Sequence, residues 1–190
     1  MLFLINATFV TTSGNLIFTW TGDGNQIIMI RKMDTEERSR KAREYFRDGY
    51  NCCQSVLLAF EDVIGMSKDE IASLSSGFGG GMGRLREVCG AMSAMTFLAG
   101  VVCPASDPLD QKKKTDNYAL VQKFAGEFKE ANGSIICREL LQIRASQKES
   151  PAPSTRTEQY YTNRPCERIV GAAARIIAEN LDNKVSQPQN

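Results

Sequence analysis

The stretch "VCGAMSAMTFLAGVV", residues 88–102, decides the fold class of this chain. Its apolar residues recur at every third or fourth position, a spacing typical of a helix that buries one face in a core. Because proline cannot continue a helix, we predict one from about Arg86 to Val102, ended by Pro104. Its buried stripe consists of Val88, Ala91, Met92, Met95, Leu98, Ala99 and Val102.

Small side chains surround the cysteine of this helix. Gly90, Ala91, Ser93 and Ala94 follow Cys89 closely. These small side chains leave room for a second helix to approach. Two cysteines can react with each other only after such an approach, because the Cα atoms of a disulfide lie about 4.4–6.8 Å apart. We therefore expect another cysteine-bearing helix to pack at this position.

Helical periodicity continues on both sides of this stretch. We predict an all-α, single-domain, multi-helix bundle over residues 34–182, with a glycine-rich loop before the helix that carries Cys89. Residues 145–159 are rich in proline and serine and are predicted to form a loop. The predicted helices cover residues 34–49, 51–64, 67–74, 86–102, 109–131, 134–142 and 165–181.

The two ends of the chain differ from this helical region. Residues 1–33 are rich in β-branched and aromatic side chains and carry turn signals. They are typical of a short hairpin, of a disordered leader, or of an extension created by a start upstream of Met29 or Met33. We favour the leader without function. Residues 183–190 are predicted to be a disordered tail.

Charge and hydropathy exclude two classes of partner. The net charge of +1 is too small for a nucleic-acid-binding surface, and Asp107, Asp110 and Asp116 surround the lysine run 112–114. The longest apolar segment, 91–103, is shorter than the roughly 18 to 20 residues of a membrane helix, which indicates no stable membrane insertion. Without an export signal, we expect a cytoplasmic protein, where structural disulfides are rare.

The residue inventory restricts the chemistry further. The chain contains no histidine, so Ser-His-Asp triads, Cys-His pairs, Cys/His zinc sites and histidine haem ligation are excluded. It contains six cysteines. In the cytoplasm these are core residues, metal ligands or working thiols.

Four of the six cysteines lie where a predicted helix begins. They are Cys52, Cys89, Cys137 and Cys166, with Asn51, Ser134 and Pro165 as the expected start signals of three of those helices. Unpaired N–H groups and the helix dipole favour a thiolate there, so we expect lowered pKa values. Cys53 lies on an apolar stripe and Cys103 at a helix C-terminus, and both are interpreted as packing residues.

The segment "GFGGGMG", residues 77–83, has two interpretations. A tight turn that lets helices approach one another is favoured. Alternatively, the loop cradles an anionic ligand, with Gly79, Gly80, Gly81 and Arg84 as the cofactor-binding candidates, although the GK[ST] ending of a P-loop is missing.

The order of motifs resembles a known family. "GYNCCQSVLLAF" (49–60), "GFGGGMG", "VCGAMSAM" (88–95), "CRELL" (137–141) and "RPCERIVGAAARII" (164–177) follow one another. Together they resemble the C_GCAxxG_C_C family, small proteins described as redox-active and named for four cysteines and a CGAxxG motif. The resemblance implies that Cys52, Cys89, Cys137 and Cys166 are the family's cysteines. Ala94 departs from the motif, which has glycine there.

Three functions stay open at this point. In the first, the four cysteines perform thiol–disulfide exchange or electron transfer with an unidentified redox partner, with Cys89 as the expected nucleophile. Four cysteines allow three pairings, between which the sequence does not decide; Cys52–Cys89 with Cys137–Cys166 is the favoured one. In the second, the same four residues are metal ligands for zinc or an iron–sulfur cluster. In the third, the protein is a non-catalytic helical binding module whose thiols only pack. The oligomeric state is open, a homo-oligomer included.

Overall fold

The computed structural model of the chain describes residues 16–19, 28–31, 34–144 and 149–186. The predicted all-α fold is confirmed: ten α-helices make up most of these residues. None of the helices in the described ranges carries an apolar stretch long enough to cross a membrane. The helices are α1 (Thr35–Arg47), α2 (Cys52–Leu58), α3 (Glu61–Ile64), α4 (Lys68–Leu74), α5 (Gly79–Met82), α6 (Gly90–Val102), α7 (Gln111–Asn132), α8 (Cys137–Leu140), α9 (Glu158–Asn163) and α10 (Cys166–Ser186).

Two short strands lie ahead of the helices. β1 (Leu16–Thr19) pairs antiparallel with β2 (Ile28–Arg31), with Leu16 opposite Arg31. This pairing agrees with the hairpin alternative over these residues. The rest of the predicted leader, residues 1–15, 20–27 and 32–33, lies outside the described residues.

The core is formed by α1, α2, α6, α7 and α10, which pack against one another. Four phenylalanines fill it, and each is at most 1 % exposed. One comes from α1, two come from α7, and one lies between α2 and α3. Helix α6 contributes mostly small residues and methionines, so neighbouring helices approach it closely. The four aromatic core residues are Phe46, Phe60, Phe124 and Phe128.

The single helix predicted over residues 51–64 is wrong, because the chain breaks between α2 and α3. The Arg38 guanidinium of α1 donates a hydrogen bond to the carbonyl oxygen of Ala59 and pairs with the Asp62 carboxylate. Phe60 is fully buried at the break, with a non-helical φ of −124°. A long-range arginine contact and a buried ring therefore end α2, and neither is visible in the local sequence.

The predicted starts of the helices at residues 86 and 134 are also wrong. Instead, residues 86–89 run alongside residues 135–138, and Val88 and Ile136 form an isolated antiparallel bridge. The Cys89 N–H donates to the Ile135 carbonyl at 2.8 Å, and the Cys137 N–H donates to the Glu87 carbonyl at 2.6 Å. Because of these backbone hydrogen bonds, α6 begins only after its N-cap, Cys89, and α8 begins only at Cys137.

The C-terminal part of the chain contains one helix that was not predicted. Thr157 caps α9 by accepting a hydrogen bond from the Tyr160 N–H at 3.2 Å. Helix α10 continues to Ser186, past the predicted end of the domain at residue 182. Residues 187–190 of the predicted tail lie outside the described residues.

Candidate functional site

The four helix-start cysteines come together in the structure. Cys52, Cys137 and Cys166 are the first residues of α2, α8 and α10, and Cys89 is the N-cap of α6. The thiol of Cys52 interacts with the other three strongly enough to change its own pKa. Four chain segments far apart in sequence thus bring their sulfur atoms into one cluster.

Two glycines make this approach possible. A Cβ atom on Gly90 would lie 2.8 Å from the Phe78 carbonyl oxygen and 3.2 Å from the Cβ of Cys52. A Cβ atom on Gly81 would lie 2.7 Å from the Cβ of Cys137. Cβ contacts under 3.0 Å are essentially absent from proteins, so a side chain at either position would force the Phe78 backbone or the Cys137 side chain to shift.

The glycine loop makes a left-handed turn. Gly80 and Gly81 have φ values of 62° and 66°, and Met82 and Arg84 also have positive φ. Left-handed backbone favours glycine, which explains the composition of the loop. The segment predicted as a glycine-rich loop contains two short helical turns, a 3₁₀ turn over Ser76–Phe78 and the single turn α5. The preferred interpretation of a turn that permits close packing is confirmed, while ligand binding by Gly79, Gly80 and Gly81 stays a prediction.

A capping box fixes the helix start that carries Cys52. The Asn51 side chain accepts hydrogen bonds from the N–H groups of Cys53 and Gln54, and the Gln54 side chain accepts one from the Asn51 N–H. The Asn51 amide also donates to the Ser76 carbonyl oxygen at 2.9 Å. The cap therefore ties Cys52 to the segment that leads into the glycine loop.

The remaining two cysteines are those interpreted from the sequence as packing residues. Cys53 is 2 % exposed in the apolar core, and burial, with a smaller effect of the neighbouring Cys89, raises the pKa of its thiol to about 12. Cys103 is half-buried at the C-terminus of α6. Both positions agree with the packing interpretation.

Cys166 carries the acidic thiol of the cluster. The largest cause is a hydrogen bond from the Cys52 thiol, and the guanidinium groups of Arg164, Arg86 and Arg156 act in the same direction. Together they lower the pKa of Cys166 to about 7, against the opposing effect of burial. The same contact with Cys166 raises the pKa of Cys52 well above its ordinary value. The two thiols therefore share one proton near neutral pH.

The expected nucleophile, Cys89, has the opposite behaviour. Burial raises the pKa of the Cys89 thiol to about 12, although the N–H groups of Ala91 and Met92 favour the thiolate. The expectation of a lowered pKa at Cys89 is therefore wrong, because desolvation outweighs the helix N-terminus. The expected thiol pairs also differ from the structure, in which the direct contact joins Cys52 to Cys166.

A comparison with known protein families matches residues 50–180 to the family described as "Putative redox-active protein (C_GCAxxG_C_C)". The chain belongs to the C_GCAxxG_C_C family. The family description names redox activity without a mechanism. Searches of curated proteins and of solved structures each find no match.

In this C_GCAxxG_C_C protein, a buried arginine lies against the cluster. Arg86 is 4 % exposed, and its Nη1 donates to the Cys137 sulfur at 3.9 Å. This contact lowers the pKa of Cys137, although burial has the larger effect and raises it overall. The Arg86 Nε is buried without a hydrogen-bond partner in the described part of the chain. No local pattern in the sequence predicts the burial of Arg86.

Arg84, the predicted anion-binding cation, is engaged by the chain itself. Its Nη2 and the Nη2 of Arg86 each lie 2.6 Å from the Glu149 carboxylate. The Nε of Arg84 also donates to the Ser150 carbonyl oxygen at 2.6 Å. Further along, Arg156 donates to the carbonyl oxygens of Phe46, near the end of α1, and of Tyr50, between α1 and α2. Arginines thus hold the 149–156 segment next to the family's cysteines.

The cysteine cluster as placed does not form a metal site. Across residues 34–144 and 149–186, no group of three or more cysteine, aspartate or glutamate side chains is arranged to hold a metal ion. A tetrahedral thiolate site needs sulfurs about 2.3 Å from the metal, which draws all four sulfurs to one point. The cluster instead contains one closely interacting pair, Cys52 and Cys166, with Cys89 and Cys137 beside it.

Proposed function

We propose that this protein performs thiol–disulfide exchange, with Cys166 as the attacking thiolate and Cys52 as the resolving thiol. The observation that carries the proposal is the direct contact between these two thiols, which is the largest cause of the lowered pKa of Cys166, about 7. A thiol with a pKa near the ambient pH combines a large thiolate fraction with good nucleophilicity. The free thiols suit a reducing compartment, and we place the reaction in the cytoplasm.

The proposed reaction balances as a two-electron transfer. The Cys166 thiolate attacks one sulfur of a substrate disulfide, the substrate S–S bond breaks, and the leaving thiolate takes a proton from water. Cys166 is then no longer an anion, so the contact that raised the pKa of Cys52 is gone. Cys52 loses its proton to water and attacks the Cys166 sulfur. A Cys52–Cys166 disulfide forms and the second substrate thiol departs; an external dithiol partner restores the pair.

Cys89 and Cys137 take a supporting role in this proposal. Both are buried, and burial raises the pKa of each thiol above its ordinary value. They stay neutral at pH 7 and leave the negative charge on Cys166. This assignment keeps the family's four cysteines in one site with two different functions.

The test is a disulfide map of the oxidised protein. We expect treatment with hydroxyethyl disulfide to produce a Cys52–Cys166 bond, identified by mass spectrometry of peptides. Cys166→Ser should abolish reduction of the substrate, and Cys52→Ser should trap the mixed disulfide on Cys166 because the resolving thiol is missing. Cys103→Ser, at the far end of α6, is the matched control and should react like the wild type. A bond that joins any other two cysteines contradicts the proposed pair.

The same sample separates the two alternatives. A four-cysteine metal centre would co-purify with about one zinc ion or one iron–sulfur cluster per chain, and that metal would protect all four thiols from alkylation. A purely structural role would leave all six thiols unreactive until the protein is unfolded. Either result would overturn the exchange proposal.

A further inference from the structure

An arginine-lined groove lies between α1 and α10, on the helix that begins at Cys166. Its cavity volume is about 380 Å³, within the usual size range of small-molecule sites. Gly171 forms part of the lining, and a Cβ atom there would lie 3.0 Å from the Ser39 hydroxyl and 3.1 Å from the Arg43 side chain. The absence of a side chain at residue 171 therefore lets α1 and α10 approach closely where the groove lies. The arginines that line it are Arg43, Arg164, Arg168 and Arg175.

Three of the four arginines that line this groove form no salt bridge within the described residues. The one carboxylate in the lining, Glu167, pairs with Arg47 outside the groove, and Arg175 pairs with Glu36. The other three arginines form no salt bridge in the described ranges, although the charge of Arg43 acts on Glu36 and that of Arg164 on Glu149. Arg43 contacts a backbone carbonyl of its own helix, Arg168 contacts the Asn132 side chain and Arg164 contacts the Ser154 hydroxyl.

We propose that this groove binds the oxyanion groups of a small anionic substrate, either phosphate or carboxylate. Guanidinium groups recognise both through paired, charge-assisted hydrogen bonds. That the anion belongs to the substrate of the Cys52–Cys166 pair rests on the proposed function. The substrate class is then a small disulfide that carries phosphate or carboxylate groups near its reacting sulfur.

Arg164 connects the groove to the thiol pair. It lines the groove, and its charge favours the Cys166 thiolate. An anion bound at Arg164 offsets that charge and should slow alkylation of Cys166 at pH 7. The other groups whose charges act on the cluster thiols are Cys52, Cys89, Cys137, Arg86 and Arg156, and none of them lines the groove.

The first experiment measures binding directly by isothermal titration calorimetry of the reduced full-length protein at low ionic strength. Pyrophosphate and citrate are the two probes, and the one that binds more tightly identifies phosphate or carboxylate as the recognised group. The double variant Arg43→Gln/Arg168→Gln should bind that probe about tenfold or more weakly, because each arginine contributes a charge-assisted hydrogen bond. Arg40→Gln, on α1 but outside the groove lining, is the matched control and should bind within about twofold of the wild type.

Saturable binding that the double variant loses supports the groove. Absence of saturable binding by both probes, or equal binding by the double variant and the wild type, overturns it. The second experiment follows alkylation of Cys166 with the better probe present: a slower rate supports a subsite next to the thiol, and an unchanged rate overturns the link to the substrate. Calorimetry needs no redox activity, so failure of the exchange proposal is seen separately in the disulfide map.

Discussion

The pKa of each cysteine thiol in the cluster depends strongly on the groups around it. Cys52, Cys89, Cys137 and Cys166 all lie at helix N-termini, yet only Cys166 has a lowered pKa. A helix dipole contributes about 0.3–1 kcal/mol to an exposed charge. The rise of the Cys89 pKa from 9.0 to about 12 corresponds to about 4 kcal/mol, so burial dominates unless hydrogen bonds and cations oppose it.

Replacement of Arg164 should make Cys166 less acidic. The guanidinium favours the thiolate, so Arg164→Gln should shift the pH midpoint of Cys166 alkylation upward from about 7. The alkylation rate at pH 7 should fall about two- to fivefold. The measurement is the rate of reaction with iodoacetamide from pH 5 to 10, with Cys166 followed by mass spectrometry.

Arg168→Gln provides the matched control for this prediction. Arg168 lies on α10 near Cys166, but its charge is not among the largest causes of the lowered pKa of that thiol. Its alkylation profile should match that of the wild type. Equal shifts in both variants would mean that the whole basic surface, rather than Arg164, sets the acidity of Cys166.

At the scale of the helices, close packing at their N-termini positions the site. Gly90 begins α6 and touches both the Phe78 carbonyl and the Cys52 side chain, whereas Gly100 near the end of the same helix has open space around its Cα atom. The same residue type therefore has a packing role at one end of α6 and none at the other. Close packing therefore restricts the size of the residue in the first turn of α6 but not at Gly100.

Gly90→Ala should destabilise the fold by about 1–3 kcal/mol, because the new methyl group must displace backbone at Phe78. Gly100→Ala should be neutral or stabilise the protein by up to about 1 kcal/mol, because alanine is the better helix former. Urea denaturation of both reduced variants measures the free energy of unfolding. Equal stability of the two variants would contradict the close approach of α2 and α6.

For the whole molecule, buried thiols link stability to pH in two opposite ways. The lowered pKa of Cys166 adds stability as pH rises from about 7 to 9, since the folded protein releases its proton before the unfolded chain does. The raised pKa values of Cys53 and Cys89, each about 12, remove stability above about 9, since only the unfolded chain ionises there. Under reducing conditions, the free energy of unfolding should reach its maximum near pH 9.

Cys53→Ala should flatten the alkaline side of this profile. Removal of one buried thiol reduces the loss of stability by up to about 1.4 kcal/mol per pH unit between pH 9 and 12. Val56→Ala, also buried on α2, is the control: it creates a cavity without removing an ionisable group, so its profile should be lower but parallel to the wild type. Urea titrations from pH 6 to 10.5 make the comparison. Parallel profiles for both variants would contradict the raised pKa of Cys53.

Local signals in the sequence predicted most of the helix starts correctly. Asp34, Asn51, Ser67 and Asp110 each accept a hydrogen bond from the first turn of a helix, and such caps act within a few residues. The starts at residues 86 and 134 could not be predicted, because backbone bonds between two distant segments delay them. The break after α2 depends on Arg38, about twenty residues away in sequence.

By itself, the sequence determined the all-α class, the cysteines at helix starts and the glycines that let those starts meet, because caps, periodicity and backbone freedom are local properties. Only the tertiary structure decided that Cys52 meets Cys166, that Arg86 is buried beside Cys137, and that the acidic thiol is Cys166 rather than Cys89. Desolvation and charge depend on atoms brought together from distant parts of the chain, and these atoms have no common signal in the order of the residues.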